Sequence, residues 1–174
     1  MTAELASVVD YEAQVKRFKP EHGLAATNSN DLRCFVYEWF THFEHAAPTD
    51  FYLDHLDDEN LDFRFPGSDP MTSHAAFAGW YENFMAQTVW NFHDISAIQI
   101  KQLGSRQYLV TFLVDWYGEV RADSYQLAGY QSRTDSRLYH HFIRQTWTID
   151  TACDRPVIQN LVAAGGGSAS PIAE

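Results

Sequence analysis

The order of segments predicts an α+β domain shaped like a cone. Three helical patterns rich in aromatic residues fill the first half of the 174-residue chain, four or five long alternating segments fill the second, and no helical pattern follows them. Helices that precede an unbroken run of strands pack on one face of a mostly antiparallel sheet. If that sheet is strongly curved, helices and sheet enclose a central pocket. The length is that of one domain with a single core.

Residues 1–29 carry little pattern, and Pro20, Gly23 and Thr27-Asn28-Ser29-Asn30 set them apart as an arm before a domain over 30–163. Asn30 or Asp31 supplies an N-cap, and Leu32, Phe35, Val36, Trp39, Phe40 and Phe43 then recur at helical spacing until Pro48 ends the helix. A short helix over 49–56 follows, then the acidic run Asp57-Asp58-Glu59, a short strand over 61–65 and the turn Pro66-Gly67-Ser68-Asp69-Pro70. Ser73 caps a third helix, whose Phe77, Trp80, Tyr81 and Phe84 stand at i, i+3, i+4 and i+7. Two apolar stripes need a common partner. Strands over 91–101, 107–117, 119–126, 137–149 and 156–162, rich in aromatic and β-branched residues, supply it. Residues 164–174, with Gly165-Gly166-Gly167-Ser168, read as a flexible tail.

A net charge of −11, with 12 Lys and Arg and no basic run longer than Lys16-Arg17, makes nucleic acid and anionic membranes unexpected partners. No segment approaches the ~20 apolar residues of a membrane span, and the N-terminus lacks a basic region followed by an apolar run. Cys34 and Cys153 are far apart and lack CxxC spacing, as befits free thiols of a cytoplasmic protein. His42, Glu44 and His45 crowd one helix without a third ligand at recognisable spacing, and nothing reads HExxH; neither metal nor cofactor is expected.

The candidate chemistry lies in the strands. His93 starts a long one and Asp115 lies near the end of the next, so the two can meet, with the carboxylate holding one ring nitrogen and the other free as a general base. The alternative is structural, with Asp115 bonded at the sheet rim and His93 packed in the core. Adjacent strand residues point to opposite faces, so only one of His140 and His141 enters the pocket. His141 shares parity with Tyr139, Ile143 and Trp147 and is the choice, which leaves His140, Arg144 and Thr148 for solvent or a second subunit. Aromatic residues make up 15% of the chain, and those with a polar tip, Tyr37, Trp80, Tyr81, Tyr117 and Trp147, are the candidate ligand contacts.

Leu56-Asp57-Asp58 before a strand, Phe65-Pro66-Gly67 before a helix, His93 opening the first long strand and Trp147 late in the penultimate one make residues 30–163 resemble the nuclear transport factor 2-like superfamily, within it the SnoaL-like group. The resemblance implies a conical α+β fold, a pocket for a small hydrophobic molecule, homodimers through the sheet, and functions from isomerase, cyclase and dehydratase to pure binding. Ketosteroid isomerase would place its general base where the turn puts Arg64, which cannot accept a proton at neutral pH. Scytalone dehydratase shares Val36-Tyr37-Glu38-Trp39, and His93 falls near one of its catalytic histidines. Its Tyr-Asp pair becomes Phe43-Glu44 here, its strand tyrosine becomes Phe63, itself a candidate contact, and its late Asn appears as Arg144. The resemblance therefore implies acid/base chemistry by His93, Asp115 and His141 rather than an identical dehydration. The other reading is a non-catalytic binding or structural subunit, like the β subunits of ring-hydroxylating dioxygenases.

Overall fold

The computed structural model describes residues 29–121, 136–152, 155–165 and 170–171. Its elements run α1 (Ser29–Glu44), α2 (Thr49–Leu53), β1 (Asp62–Arg64), α3 (His74–Gln87), β2 (Thr88–Gln102), β3 (Gln107–Arg121), β4 (Ser136–Asp150), β5 (Val157–Gly165) and β6 (Ser170–Pro171). The expected arm lies outside the described residues apart from Ser29.

α1 buries the predicted stripe of Leu32, Phe35, Val36, Trp39, Phe40 and Phe43. It begins at Ser29, slightly before the predicted caps. Its end is closed by Ala46, which takes the left-handed conformation (φ 48) while the Ala46 and Ala47 N–H groups donate back to the carbonyls of Phe43 and His42. This paired closure, with one N–H reaching back five residues, fixes the last turn and therefore the place of Glu44. α2 is shorter than predicted. At α3 the Ser73 hydroxyl accepts from the Ala76 N–H at 3.2 Å, as the cap reading requires.

The sheet order is β1-β5-β4-β3-β2, with β1 parallel to β5 and the other neighbours antiparallel. β6 pairs with β4 beside Tyr139 and His140. The sheet is curled and open, and the helices cover one face of it, which is the predicted α+β class. One source of the bend is a bulge in β2. Register slips between Ser96 and Gln99, and Ala97 between them has φ 53; an extra residue in one strand kinks it and raises its twist.

Where Gly118 reads as a boundary between two strands, β3 runs through it without a break. The reason is steric. The Trp116 indole lies over Gly118, and a Cβ there would collide with the ring. This glycine makes room for a side chain and leaves the ladder intact. The core beneath the helices is aromatic: Trp147 sits 5.5 Å from Trp39, 6.0 Å from Phe40 and 4.9 Å from Phe112, ring centre to ring centre. Among the described residues no helix is long and apolar enough to cross a membrane.

Candidate functional site

Residues directly opposite one another in antiparallel strands share a face. The register sets His93 of β2 opposite Trp116 of β3, and Trp116 opposite His141 of β4. The three form one row across the helix-covered face. Phe40 and Phe43 of α1 pack on the His93 ring at 4.7 and 5.9 Å, and Phe84 of α3 lies 6.4 Å from Trp116. The Trp116 and His141 rings are 5.3 Å apart.

Each member of the row keeps a buried polar atom that has no hydrogen-bond partner among the described residues: His93 Nδ1, Trp116 Nε1 and His141 Nε2. Asn91 Oδ1 is a fourth, on the same face opposite Gly118. Only one other buried side-chain atom among the described residues, Tyr52 Oη, shares this condition. Buried polar groups are nearly always paired, and each unpaired one costs about 1–3 kcal/mol. Four of the five lie in one place, which makes it the candidate site.

Glu44 closes one end of the row. Its Oε1 accepts from the His93 backbone N–H at 2.7 Å and lies 3.5 Å from Nδ1 of the same residue. The second distance suits an ion pair, without hydrogen-bond alignment. A carboxylate in the last turn of a helix faces the negative end of the helix dipole, an unfavourable place. Burial also pushes the Glu44 carboxyl up, but the His93 side chain, its backbone N–H and its charge outweigh it and hold the group below its usual range. Burial pushes His93 below the ordinary histidine value, against an upward pull from Glu44. His141 is depressed for the same first reason, with the neighbouring His140 charge adding to it.

Asp115 does not join His93. It stands opposite Asp94, on the outer face of the sheet, and its Oδ1 lies 2.9 Å from His140 Nε2. Tyr117, two residues on, stacks on the His140 ring at 4.3 Å with planes 4° apart. The register makes Trp116 the partner of His93, so alternation turns Asp115 outward. His141 points inward and His140 outward, in accord with their parity.

The expected ligand contacts scatter. Tyr37 is half exposed on the far side of α1, and Tyr117 is on the outer face. Phe63 and Trp147 are fully buried, and the Trp147 Nε1 donates to Gln145 Oε1 at 2.9 Å. Tyr81 is buried and donates its hydroxyl to the Ala47 carbonyl at 2.7 Å. Trp80, part-buried, stacks on Phe65. Tyr81 and Trp147 thus have satisfied polar tips and, with Phe63, pack in the core. On α1, His42 stacks on Phe51 and His45 Nδ1 lies 2.7 Å from the Thr41 carbonyl; no group of three or more His, Cys, Asp or Glu among the described residues could hold a metal ion. Trp116 and Asn91 are not singled out by the sequence, which offers Glu44 as a member of a helix cluster too sparse for a metal and as the counterpart of an aspartate, not as a partner of His93. For Trp116 the signal was available, since it shares parity with buried Val114 and Phe112.

No protein-family model and no curated protein matches the sequence. Solved structures do match. A type 2 hexachlorocyclohexane dehydrochlorinase, LinA, superposes with a TM-score of 0.66 over 82% of this chain and 86% of its own at 6% identity. A candidate dehydratase from the NTF2-like family of Streptomyces avermitilis gives 0.64 over 80% and 97% at 11% identity. The fold is NTF2-like. The β subunit of the benzoate 1,2-dioxygenase of Burkholderia mallei shares it, with a TM-score of 0.61 over 82% of this chain and 93% of that one at 15% identity.

The row in this NTF2-like fold has a consequence for stability. His93 and His141 have folded-state values below their unfolded ones. The unfolded chain therefore takes up protons first as pH falls through the ordinary histidine range, and stability declines. Glu44, also depressed, adds its loss at lower pH, as the folded carboxylate is protonated. Urea unfolding should show highest stability above about pH 7 and a fall of at most about 1.4 kcal/mol per pH unit for each proton, His93 dominating because His141 is half-buried. Stability that rises on acidification from pH 7 to 5.5 would contradict this.

Proposed function

We propose that this chain is a cofactor-independent enzyme that removes a proton from a small hydrophobic molecule held between α1, α3 and the sheet. The observation that carries the proposal is the buried His93 with Glu44 3.5 Å from its Nδ1. Burial keeps the imidazole neutral, as a base must be. With its proton on Nδ1, facing the carboxylate, Nε2 offers a lone pair to an acidic C–H. The imidazolium so formed is held by Glu44. If the substrate carries a leaving group on the next carbon, the C–H electron pair becomes a double bond and the leaving group departs; otherwise the proton returns at another carbon. The names of the LinA and Streptomyces proteins describe eliminations, which also take a proton away. Both support the reading.

Proton removal is measurable without knowing the substrate. Cyclic ketones, headed by 2-tetralone, are incubated with the protein in D2O, and deuterium uptake beside the carbonyl is followed by NMR. Uptake faster than in buffer is expected. No acceleration with any ketone, or the same acceleration by His93→Ala, would sink the proposal.

A second reading rests on the outer face. Trp90, Phe92, Phe142 and Val162 are large apolar side chains 38–50% exposed, and Phe92 and Phe142 flank the Asp115–His140–Tyr117 cluster. We infer a homodimer through this face of a cytoplasmic protein, whose described cysteine, Cys34, is an exposed free thiol. The match to a protein named as a dioxygenase β subunit supports a role as a subunit. Light scattering should give twice the chain mass for the wild type and one chain mass for a Phe92→Asp, Phe142→Asp double variant; a monomeric wild type refutes the dimer.

A further inference from the structure

We propose that Trp116 Nε1 is a hydrogen-bond anchor that makes this site select neutral, oxygen-bearing ring compounds, hydroxylated ones above all, over anions of the same shape. The inference rests on the reading that the ligand sits against the His93–Trp116–His141 row, and not on proton removal.

Trp116 is 5% exposed, and its indole nitrogen has no acceptor among the described residues. An indole N–H donates and cannot accept. Phenylalanine would fill the same position without burying an unpaired donor, so the N–H is in place for an acceptor that arrives from outside. The ring is also held still. Gly118 lies beneath it with no room for a Cβ, and His141 and Phe84 bound it on other sides. A donor fixed before binding loses little freedom when its partner arrives. The neighbouring orphans complete the subsite: Asn91 Oδ1 accepts, and His141 Nε2 does either according to tautomer. A hydroxyl both accepts from the indole and donates to one of these.

Charge supplies the discrimination. Arg64, Lys101, Arg106, Arg121, Arg144 and Arg155 are exposed, and Arg33 bonds the Ser29 carbonyl at the start of α1. None of these cations faces the row. Among the described side chains the charged group that does is Glu44, held in its ionised form. A carboxylate or phosphate entering here would lose its water, meet no counter-charge among the described side chains and be repelled by Glu44.

Three probes of one shape separate these effects: 4-methylphenol, toluene and 4-methylbenzoate. The ¹⁵N-labelled protein shows an indole N–H resonance for each of its five tryptophans, and the one lost in Trp116→Phe belongs to Trp116. At neutral pH 4-methylphenol should move that proton downfield and bind about tenfold more tightly than toluene, the worth of one good hydrogen bond. In Trp116→Phe the advantage over toluene should vanish. 4-Methylbenzoate should bind at least about tenfold more weakly than the phenol and recover in Glu44→Gln, which tests the charge argument even if Trp116→Phe fails to fold. The proposal is overturned if the benzoate binds as well as the phenol, if toluene shifts the indole proton equally, or if none of the three binds. Turnover is not read in any arm, so a failed exchange assay and a failed probe series are distinguishable.

Discussion

Replacing Trp147 with alanine should cost about 3–5 kcal/mol of folding free energy, the range for deleting a large buried aromatic side chain. Trp147 is fully buried where α1 meets the sheet, with Phe35 and Phe40 of α1 and Phe112 of β3 against its ring. Truncation removes these contacts together. It also strands Gln145 Oε1, in a residue only 2% exposed, without its donor, at about 1–3 kcal/mol for a buried unpaired acceptor. A domain of this size is stable by about 5–15 kcal/mol, so the variant should be partly unfolded at room temperature or lose most of its denaturation midpoint. Trp147→Phe retains most of the packing and should lose only the hydrogen-bond part. A loss below about 1 kcal/mol for alanine in urea unfolding would mean that the core is not organised around this residue. The experiment also tests the reassignment of Trp147 from ligand contact to core: a ligand-lining tryptophan would change binding more than stability.

Periodicity carried the reading of the fold, and parity carried part of the site. The α1 stripe, the Ser73 cap and the inward turn of His141 each follow from spacing within one element, where the backbone leaves little choice. What failed depended on how elements meet. Whether Asp115 or Trp116 faces His93 is set by the register of β2 on β3, and a one-residue slip reverses every side chain; the bulge at Ala97 and the turn at 103–106 govern that register, and neither has a sequence signature sharp enough to count from. Glu44 reaches His93 because an α1 residue 49 positions earlier is parked by a helix ending that uses alanine in a conformation usually given to glycine. Its nearness to His93 is a tertiary fact. Gly118 was misread because glycine marks both turns and close packing, and only the position of the Trp116 ring tells them apart. Tyr37 and Tyr117 were chosen for their polar tips, a property that says nothing about the side of the element they occupy.

His93→Ala should reduce the exchange acceleration by about 10²–10⁴-fold, the usual worth of a positioned base, while leaving the fold in place. The pH dependence identifies the base more sharply than the loss. A base works when unprotonated, so the rate should rise with pH through the His93 value and level off. Burial places that rise below the ordinary histidine range, so the plateau should already be reached near neutrality. Glu44→Gln retains an oxygen for the His93 backbone N–H but removes the charge that favours the imidazolium. The rise should therefore move to still lower pH, and the plateau should fall by about tenfold, the smaller rate belonging to a weaker base. A rise displaced to higher pH would show that Glu44 does not stabilise the charged ring. Asp115→Asn is the internal control, because the sequence nominated Asp115 for the position beside His93 that Glu44 occupies. From the outer face, bonded to His140, it has no path to the His93 ring, and its exchange rate and pH profile should match the wild type. If instead Asp115→Asn abolishes exchange and Glu44→Gln does not, the chemistry belongs to the outer face and the inner row is a binding surface alone.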